Sequence, residues 1–382
     1  MGIMINIVFI IDYIWGANGG TEGQLLMLLN RLDKTRFNVH LFCLRNTDWL
    51  ENSRLDFPVK VLNIKKLFSV NMIVKMFEFR KYCRAHNIHV VQTYFSDSYI
   101  FGVLAARLSN VKKIIVCRRN LGPGFWGNKA LLFVYRALRY FTPKYLANSH
   151  ATKESIIKYE GISPDKIGVI YNGLNMKRFD IIDDDYRLRA RGDLGIHGSQ
   201  ILLGLVSHLR KDKNFELFLD AAARVNKSYP ETHFIILGEG PYRPNIERRI
   251  EDLKLQDTVS LIGAVKDVVP YLAAMDIACL TTDGESFSNS ILEYLAAGLP
   301  VVATEVGGNI EALRKNGFLF PQNNLEKFID LLTALIEDKQ LRCRVGVGGK
   351  AEAASHYGVT KMVSAYEEVF FKCVAADDSQ SG

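Results

Sequence analysis

The chain reads as an α/β protein built from two doubly wound parallel sheets in tandem. Three observations predict this. Short apolar runs alternate with longer helical patterns from Ile5 to Tyr171. A polar stretch without apolar periodicity, Arg178–Asp185, interrupts them, and a second alternation runs from Ile201 to Glu337. The length of 382 residues fits two domains of ordinary size. Alternation of this kind places helices on both faces of a parallel sheet.

In the first unit, residues 1–177, strands are expected at Ile5–Ile11, Asn38–Cys43, Val59–Leu62, His89–Gln92, Lys113–Cys117, Tyr145–Ala147 and Ile167–Tyr171. Helical patterns fall between them, among them Thr21–Leu32 and Ile73–His86. In the second unit, residues 178–359, strands are expected at Ile201–Ser207, His233–Gly238, Val259–Leu261, Ile277–Thr281, Val301–Thr304 and Gly317–Phe320. Its helices include Phe215–Ser228, Arg243–Leu253, Val268–Ala274 and Leu325–Glu337. Two such units put a cleft between the carboxyl ends of both sheets. A last helix, Thr360–Ala375, precedes a small polar tail, 376–382, expected to be disordered.

Composition bounds the function. Hydrophobic content of 48% with 23% charged residues is that of a soluble globular chain. Ile3–Ile11 has no basic segment before it and is too short to span a bilayer, so it reads as a buried strand. Six cysteines form no Cys-x-x-Cys pair, which argues against a zinc knuckle and for a reducing cytosol. The net charge of +7 is unevenly placed: residues 1–175 carry 24 Lys and Arg against 11 Asp and Glu. A basic half favours anionic partners, such as an anionic membrane face, a pyrophosphate-linked lipid or nucleic acid; scattered surface charge is the plainer account. No aromatic-basic nucleic-acid module occurs, so nucleic acid is not expected.

The most informative stretch runs from Asp283 to Thr304, with Glu285 and Glu293 eight positions apart. It reads as a polar loop, a helix, a Gly-Pro stop and a buried strand. A loop feeding a helix N-terminus, near Phe287, Ser288 and Asn289, presents backbone N–H groups to an anion. Glu293, about two turns in, can accept hydrogen bonds from sugar or ribose hydroxyls. One site thus offers both halves of a nucleotide-sugar.

This string, followed by Val306-Gly-Gly-Asn-Ile-Glu311, resembles the signature of the retaining GT-B glycosyltransferases of family four (glycosyl transferases group 1). The resemblance covers nearly the whole chain and is sharpest over residues 200–313. It implies a GT-B fold, a nucleotide-sugar donor (UDP being commonest), a glycan or lipid-linked acceptor, and transfer with retention. It implies no cofactor and no divalent metal. Glu285 would bind donor-sugar hydroxyls and Glu293 the ribose. The family usually has an arginine and, five residues later, a lysine on the diphosphate; Lys213 matches the lysine, His208 stands at the arginine position, and Arg210 is a substitute. Gly238 falls in the loop below the nucleotide, and the main chain at Ile262 beside the base. Gly19 and Gly20, in the loop Trp15–Glu22 after the first strand, suit a bulky anion or a sharp turn. Gln92 and Tyr94 stand where a His-x-His pair is common; Asp97 either replaces the missing group or caps the helix Ser98–Leu108. Arg118, Arg119 and Trp126 can grip an anionic acceptor or form a solvated loop. Asp183-Asp184-Asp185 reads as a helix start rather than a metal site.

The expected activity is transfer of a hexose or N-acetylhexosamine in cell-surface polysaccharide assembly, in the cytoplasm or peripherally on the inner membrane face. The alternatives are a non-catalytic sugar-nucleotide binder, a two-domain epimerase or phosphorylase, and a nicotinamide-dependent oxidoreductase.

Overall fold

The computed structural model describes residues 4–17, 20–122 and 127–375; Gly19, Trp126 and the tail 376–382 lie outside them. The chain divides into two compact units, one of residues 1–173 with 359–382, the other of residues 174–358.

The first unit holds a seven-stranded parallel sheet. Its strands are β1 (Ile5–Ile11), β2 (Phe37–Cys43), β3 (Val59–Val61), β4 (Val90–Tyr94), β5 (Lys113–Arg118), β6 (Lys144–Ala147) and β7 (Ile167–Val169), in the order β3-β2-β1-β4-β5-β6-β7. β1 is apolar almost throughout because both its faces are covered. Val8 and Ile10 enter one core; Ile7, Phe9 and Ile11 enter the other. The first core lies under the helices Val70–Ala85, Ser96–Leu108 and Lys129–Leu138. The second lies under Gly20–Leu29 and the last helix, Val359–Ala375, whose Phe370 meets Phe9 edge-on at 6.0 Å. Met362, Val363, Tyr366 and Phe370 are all buried there. Each contributes roughly 1.5–3 kcal/mol, so this helix is integral to the first unit although it follows the second in sequence.

The second unit holds a six-stranded parallel sheet. Its strands are β8 (Ile201–Val206), β9 (Thr232–Leu237), β10 (Val259–Gly263), β11 (Ile277–Leu280), β12 (Val301–Thr304) and β13 (Phe318–Phe320), in the order β10-β9-β8-β11-β12-β13. Both sheets reverse direction beside their first strand, between β1 and β4 and between β8 and β11. Ligands of doubly wound sheets bind at the carboxyl ends of the strands at that switch.

One expectation is corrected. Arg178–Asp185 is not a free linker: a 3-10 turn spans Met176–Phe179, Phe179 is fully buried, and Asp183 caps the helix Asp184–Asp193 by accepting from Tyr186 N at 2.7 Å. The junctions fall after Gly173 and Gly358 instead. A further long helix, Lys339–His356, follows, with Gly346, Gly348 and Gly349 inside it. Those glycines admit close packing. A Cβ on Gly346 would stand 2.0 Å from Gly298 O, and one on Gly349 2.7 Å from Leu295 Cδ2. This helix therefore backs directly onto Asn289–Ala296, which carries Glu293.

Candidate active site

The switch point of the second sheet is formed by the loop after β8 and the loop after β11. Main chain and hydroxyls tie the two together. Thr281 Oγ1 donates to Lys213 O at 3.0 Å, Thr282 Oγ1 to Asp212 O at 3.1 Å, and Asp283 N to Asp212 O at 2.8 Å. These bonds bring Lys213 Nζ within 2.7 Å of Glu285 Oε2, though the residues are 72 positions apart. Lys213 is buried and Glu285 half-buried. The ammonium is thus fixed at the carboxyl end of β8 before any ligand arrives.

The third wall is the Gly307-Gly308 turn. Gly308 N donates to Glu285 O at 2.9 Å. A Cβ on Gly307 would stand 1.9 Å from Glu285 O, and one on Gly308 1.9 Å from Ser286 O. The two glycines are needed for close approach, and Gly307 also has φ of +47°. Together they press the Glu285 loop against the sheet.

The helix Asn289–Ala296 starts at this point. Ser288 caps it, accepting from Ile291 N at 3.3 Å, and Phe287 is buried edge-on against Tyr357 at 5.5 Å. Tyr294 OH accepts from Val206 N at 2.6 Å, and Ser290 Oγ donates to Val206 O at 2.8 Å, pinning the helix to the end of β8. Glu293 lies half-buried on it. Burial pushes its carboxyl up to about 7; Arg178 opposes the shift and Asp267 adds to it. Arg178 and Asp267 are themselves paired at 2.9 Å.

The remaining expected donor residues ring this point. Arg210 is exposed and bonded to Asp212 at 2.8 Å, and His208 is exposed on the same loop. Gly238 has φ of +141°, and a Cβ there would stand 1.8 Å from Ser207 O, so the loop after β9 crosses the end of β8 closely. The β9–β10 register skips Ile262, which makes that residue the bulge of an edge strand.

The switch point of the first sheet is different. Asp12 directly follows β1, and its carboxylate accepts from Ser98 N at 2.6 Å and Asp97 N at 3.4 Å. The helix therefore begins at Ser96, after Phe95 at φ of +64°, and its cap is Asp12. Asp97 is not the cap; its carboxylate accepts from Arg45, which also stands 4.0 Å from Asp12. Burial raises Asp12 to about 6. Asp12 and Arg45 were missed in the sequence, although they lie one and two residues past the carboxyl ends of β1 and β2. Gly20 opens the helix Gly20–Leu29.

Arg118 is corrected. It is buried, its guanidinium forks onto Glu160 at 3.1 and 3.0 Å, and it lies over the rings of Tyr99 and Tyr135 at 4.2 and 4.0 Å. These contacts make it an internal brace, with its guanidinium already committed to Glu160. Arg119 is half-buried and donates to Asn172 Oδ1. Among the described residues, no group of three or more His, Cys, Asp or Glu is placed to hold a metal ion, and no helix is long and apolar enough to cross a membrane.

Comparison with known proteins agrees with this architecture. Residues 18–178 match the model of Glycosyltransferase Family 4, and residues 200–338 that of Glycosyl transferases group 1. The Escherichia coli UDP-Gal:alpha-D-GlcNAc-diphosphoundecaprenol alpha-1,3-galactosyltransferase is 25% identical over 93% of this chain and 94% of its own. A Campylobacter jejuni N-acetylgalactosamine-N,N'-diacetylbacillosaminyl-diphospho-undecaprenol 4-alpha-N-acetylgalactosaminyltransferase is 24% identical over 85% of this chain and 89% of its own. The crystal structure of Anabaena HepE in complex with UDP superimposes with a TM-score of 0.84 at 20% identity, covering 96% of this chain and all of that one. With two doubly wound sheets and both halves matched in order, the chain belongs to the group 1, family four glycosyltransferases of GT-B fold.

Proposed function

We propose that this glycosyltransferase moves a hexosyl or N-acetylhexosaminyl group from a uridine diphosphate sugar to a hydroxyl of a lipid-linked glycan, with retention of anomeric configuration and no divalent metal. The observation that carries the reading is the Lys213–Glu285 pair at the β8/β11 switch point, with Glu293 on the helix that starts there. The E. coli relative is named for UDP-Gal and a diphosphoundecaprenol, the C. jejuni relative for a diphospho-undecaprenol, and HepE carries UDP. These names support the donor and acceptor classes.

In this reading Lys213 and the positive end of the helix Asn289–Ala296 hold the diphosphate, with Arg210 turning from Asp212 to join them. Glu293 accepts from the ribose hydroxyls. The bulged main chain at Ile262 meets the uracil edge, and Glu285 binds hydroxyls of the donor sugar. The bond between anomeric carbon and phosphate oxygen breaks, and its electron pair leaves with UDP. The acceptor oxygen bonds to the same face of that carbon, and its proton passes to the departing phosphate oxygen. Charge grows on the diphosphate as the bond breaks. A lysine already fixed in place stabilises it without reorganisation, an effect of about 3 kcal/mol for one well-placed donor.

Thermal-shift and hydrolysis assays on a panel of UDP-, GDP- and ADP-sugars, with and without chelator, test this. One UDP-sugar should stabilise and be hydrolysed slowly, unaffected by chelator, and proton NMR of the transfer product should show the donor's anomeric configuration. Loss of turnover on chelation would overturn metal independence. Full donor affinity and turnover in Glu293→Ala would overturn the site.

A further inference from the structure

The helix Val70–Ala85 has two apolar faces. Met72, Phe79 and Cys83 point into the core of the first unit. On the opposite side Val70, Ile73, Val74 and Phe77 follow the spacing i, i+3, i+4, i+7 and form a second stripe roughly 100° wide. These four are 49–78% exposed. A helix at the surface of a water-soluble unit needs only its inward stripe, so the outward one requires another explanation.

The loop before the helix adds to it. Phe68 is 72% exposed and sits at φ of +57°, a left-handed conformation that disfavours an aromatic residue. Its N–H donates to Met72 Sδ at 3.2 Å, which holds the turn while the ring projects outward. The same side of the sheet carries a second aromatic patch. The helix Lys129–Leu138 also packs on Ser96–Leu108, and Phe133 at its middle and Tyr140 and Phe141 just past its end are 48–75% exposed.

The charge around both patches has one sign. Residues 63–86 hold six Lys and Arg (Lys65, Lys66, Lys75, Arg80, Lys81 and Arg84) against one acid, Glu78, which pairs with Lys75 at 2.7 Å. Residues 129–141 hold Lys129, Arg136 and Arg139 and no acid. At 100° per residue, Lys81 and Arg84 continue the outward stripe at its C-terminal end. Exposed apolar side chains rimmed by long basic ones match an interface between acyl chains and anionic headgroups. There the apolar stripe enters, and the basic heads stay at headgroup level.

We propose that this outward face of the first unit, Phe68 with the Val70–Phe77 stripe and the aromatic end of Lys129–Leu138, seats on an anionic lipid bilayer. It gives the glycan-transfer reading above a place to meet a lipid-linked acceptor, but its test uses neither donor nor acceptor. Vesicle co-sedimentation of the full chain would compare phosphatidylcholine with equimolar phosphatidylcholine–phosphatidylglycerol. The expected result is binding to the mixed vesicles at low salt, weakened by salt and far weaker on phosphatidylcholine alone. Ile73→Ser/Val74→Ser/Phe77→Ser and, separately, Lys81→Glu/Arg84→Glu should each lower affinity about tenfold or more. Both should keep the wild-type melting temperature and nucleotide-sugar hydrolysis, since none of these side chains enters the core. Should the triple variant fail to fold, Phe77→Ser and the charge variant decide alone. Absence of wild-type binding, or unchanged binding in both variants, overturns the proposal. So does sedimentation velocity showing a dimer that the apolar variant splits, which would assign the face to a second copy. A chain that binds vesicles but hydrolyses no nucleotide-sugar would sink the functional reading and leave this one standing.

Discussion

Gly308→Ala separates the geometry of the site from the stability of the fold. Gly308 has φ of −73°, which alanine adopts without strain, so the substitution acts only through its added methyl. That methyl would stand 1.9 Å from Ser286 O, 2.7 Å from Ser286 C and 3.0 Å from Phe287 Cα. All three are main-chain atoms, so no side-chain rotation relieves the clash. Real Cβ contacts do not fall below 3.0 Å, so the two segments must part by at least 1.1 Å, the difference from 1.9 Å. The segment that moves carries Glu285 on one side and Ser288, the cap of the Glu293 helix, on the other. A displacement of about 1 Å at a reacting centre can cost about a hundredfold in rate, or about 2.7 kcal/mol of barrier. The assay is kcat/KM for donor hydrolysis beside the melting temperature. Gly195→Ala is the control: at φ of +68° with nothing within 4 Å of its Cβ, it should cost about 1 kcal/mol of stability and no activity. If Gly308→Ala keeps kcat/KM within about threefold of wild type, against that hundredfold expectation, the Gly307-Gly308 wall does not position the site.

Other outcomes follow from the same contacts. Lys213→Met should lower kcat/KM about a hundredfold, and Lys213→Met/Glu285→Gln should lose less than the two single losses combined, since each side chain positions the other. Arg118→Met should destabilise the fold by about 3–5 kcal/mol by leaving Glu160 buried and unpaired, with much of that loss recovered in Arg118→Met/Glu160→Leu; an unchanged melting temperature with a raised acceptor KM would restore Arg118 to the acceptor. Burial raises the Glu293 carboxyl to about 7 in the ligand-free fold: below about 4.5 it is neutral folded or unfolded, and stability from it is lost as pH rises toward about 7. Glu293→Gln should flatten that part of the melting-temperature profile, and an unaltered profile would show the carboxyl to be well hydrated.

Much of this molecule is legible in the sequence because its sheets are parallel and covered. Strands such as β1, broken only by Asn6, and β12 read as apolar runs, and the helical pattern Phe215–Ser228 matches the observed helix to the residue. Legibility failed where a local signal meets a distant partner. The glycines of Lys339–His356 oppose a helix locally and are required only by Gly298 and Leu295 on a neighbouring one. Asp97 looked like a cap because its partner Arg45 lies 52 positions away, and the capping carboxylate, Asp12, lies just after β1. Arg118 looked like a surface cation because Glu160 lies 42 positions further on. Asp97 and Arg118 stand out locally, but their roles depend on an approach that no local pattern encodes.

The two switch points show why one topology serves two ends. Each sheet turns from its first strand to its fourth beside a helix N-terminus, and each such N-terminus favours a negative charge. In the first sheet Asp12 supplies that charge from within, bonding Ser98 N and Asp97 N. A diphosphate there would have to displace a buried carboxylate of the same sign. In the second sheet the helix end is capped by the neutral hydroxyl of Ser288, and the nearby Glu285 is turned onto Lys213. A lysine ammonium stands there beside a helix end whose Ser288 cap is neutral. This contrast supports the proposed reading, in which the diphosphate lies at β8/β11. It follows that Asp12→Asn should leave donor affinity intact and act on the first unit's stability, whereas Ser288→Asp should weaken donor binding by filling the helix end with a rival charge.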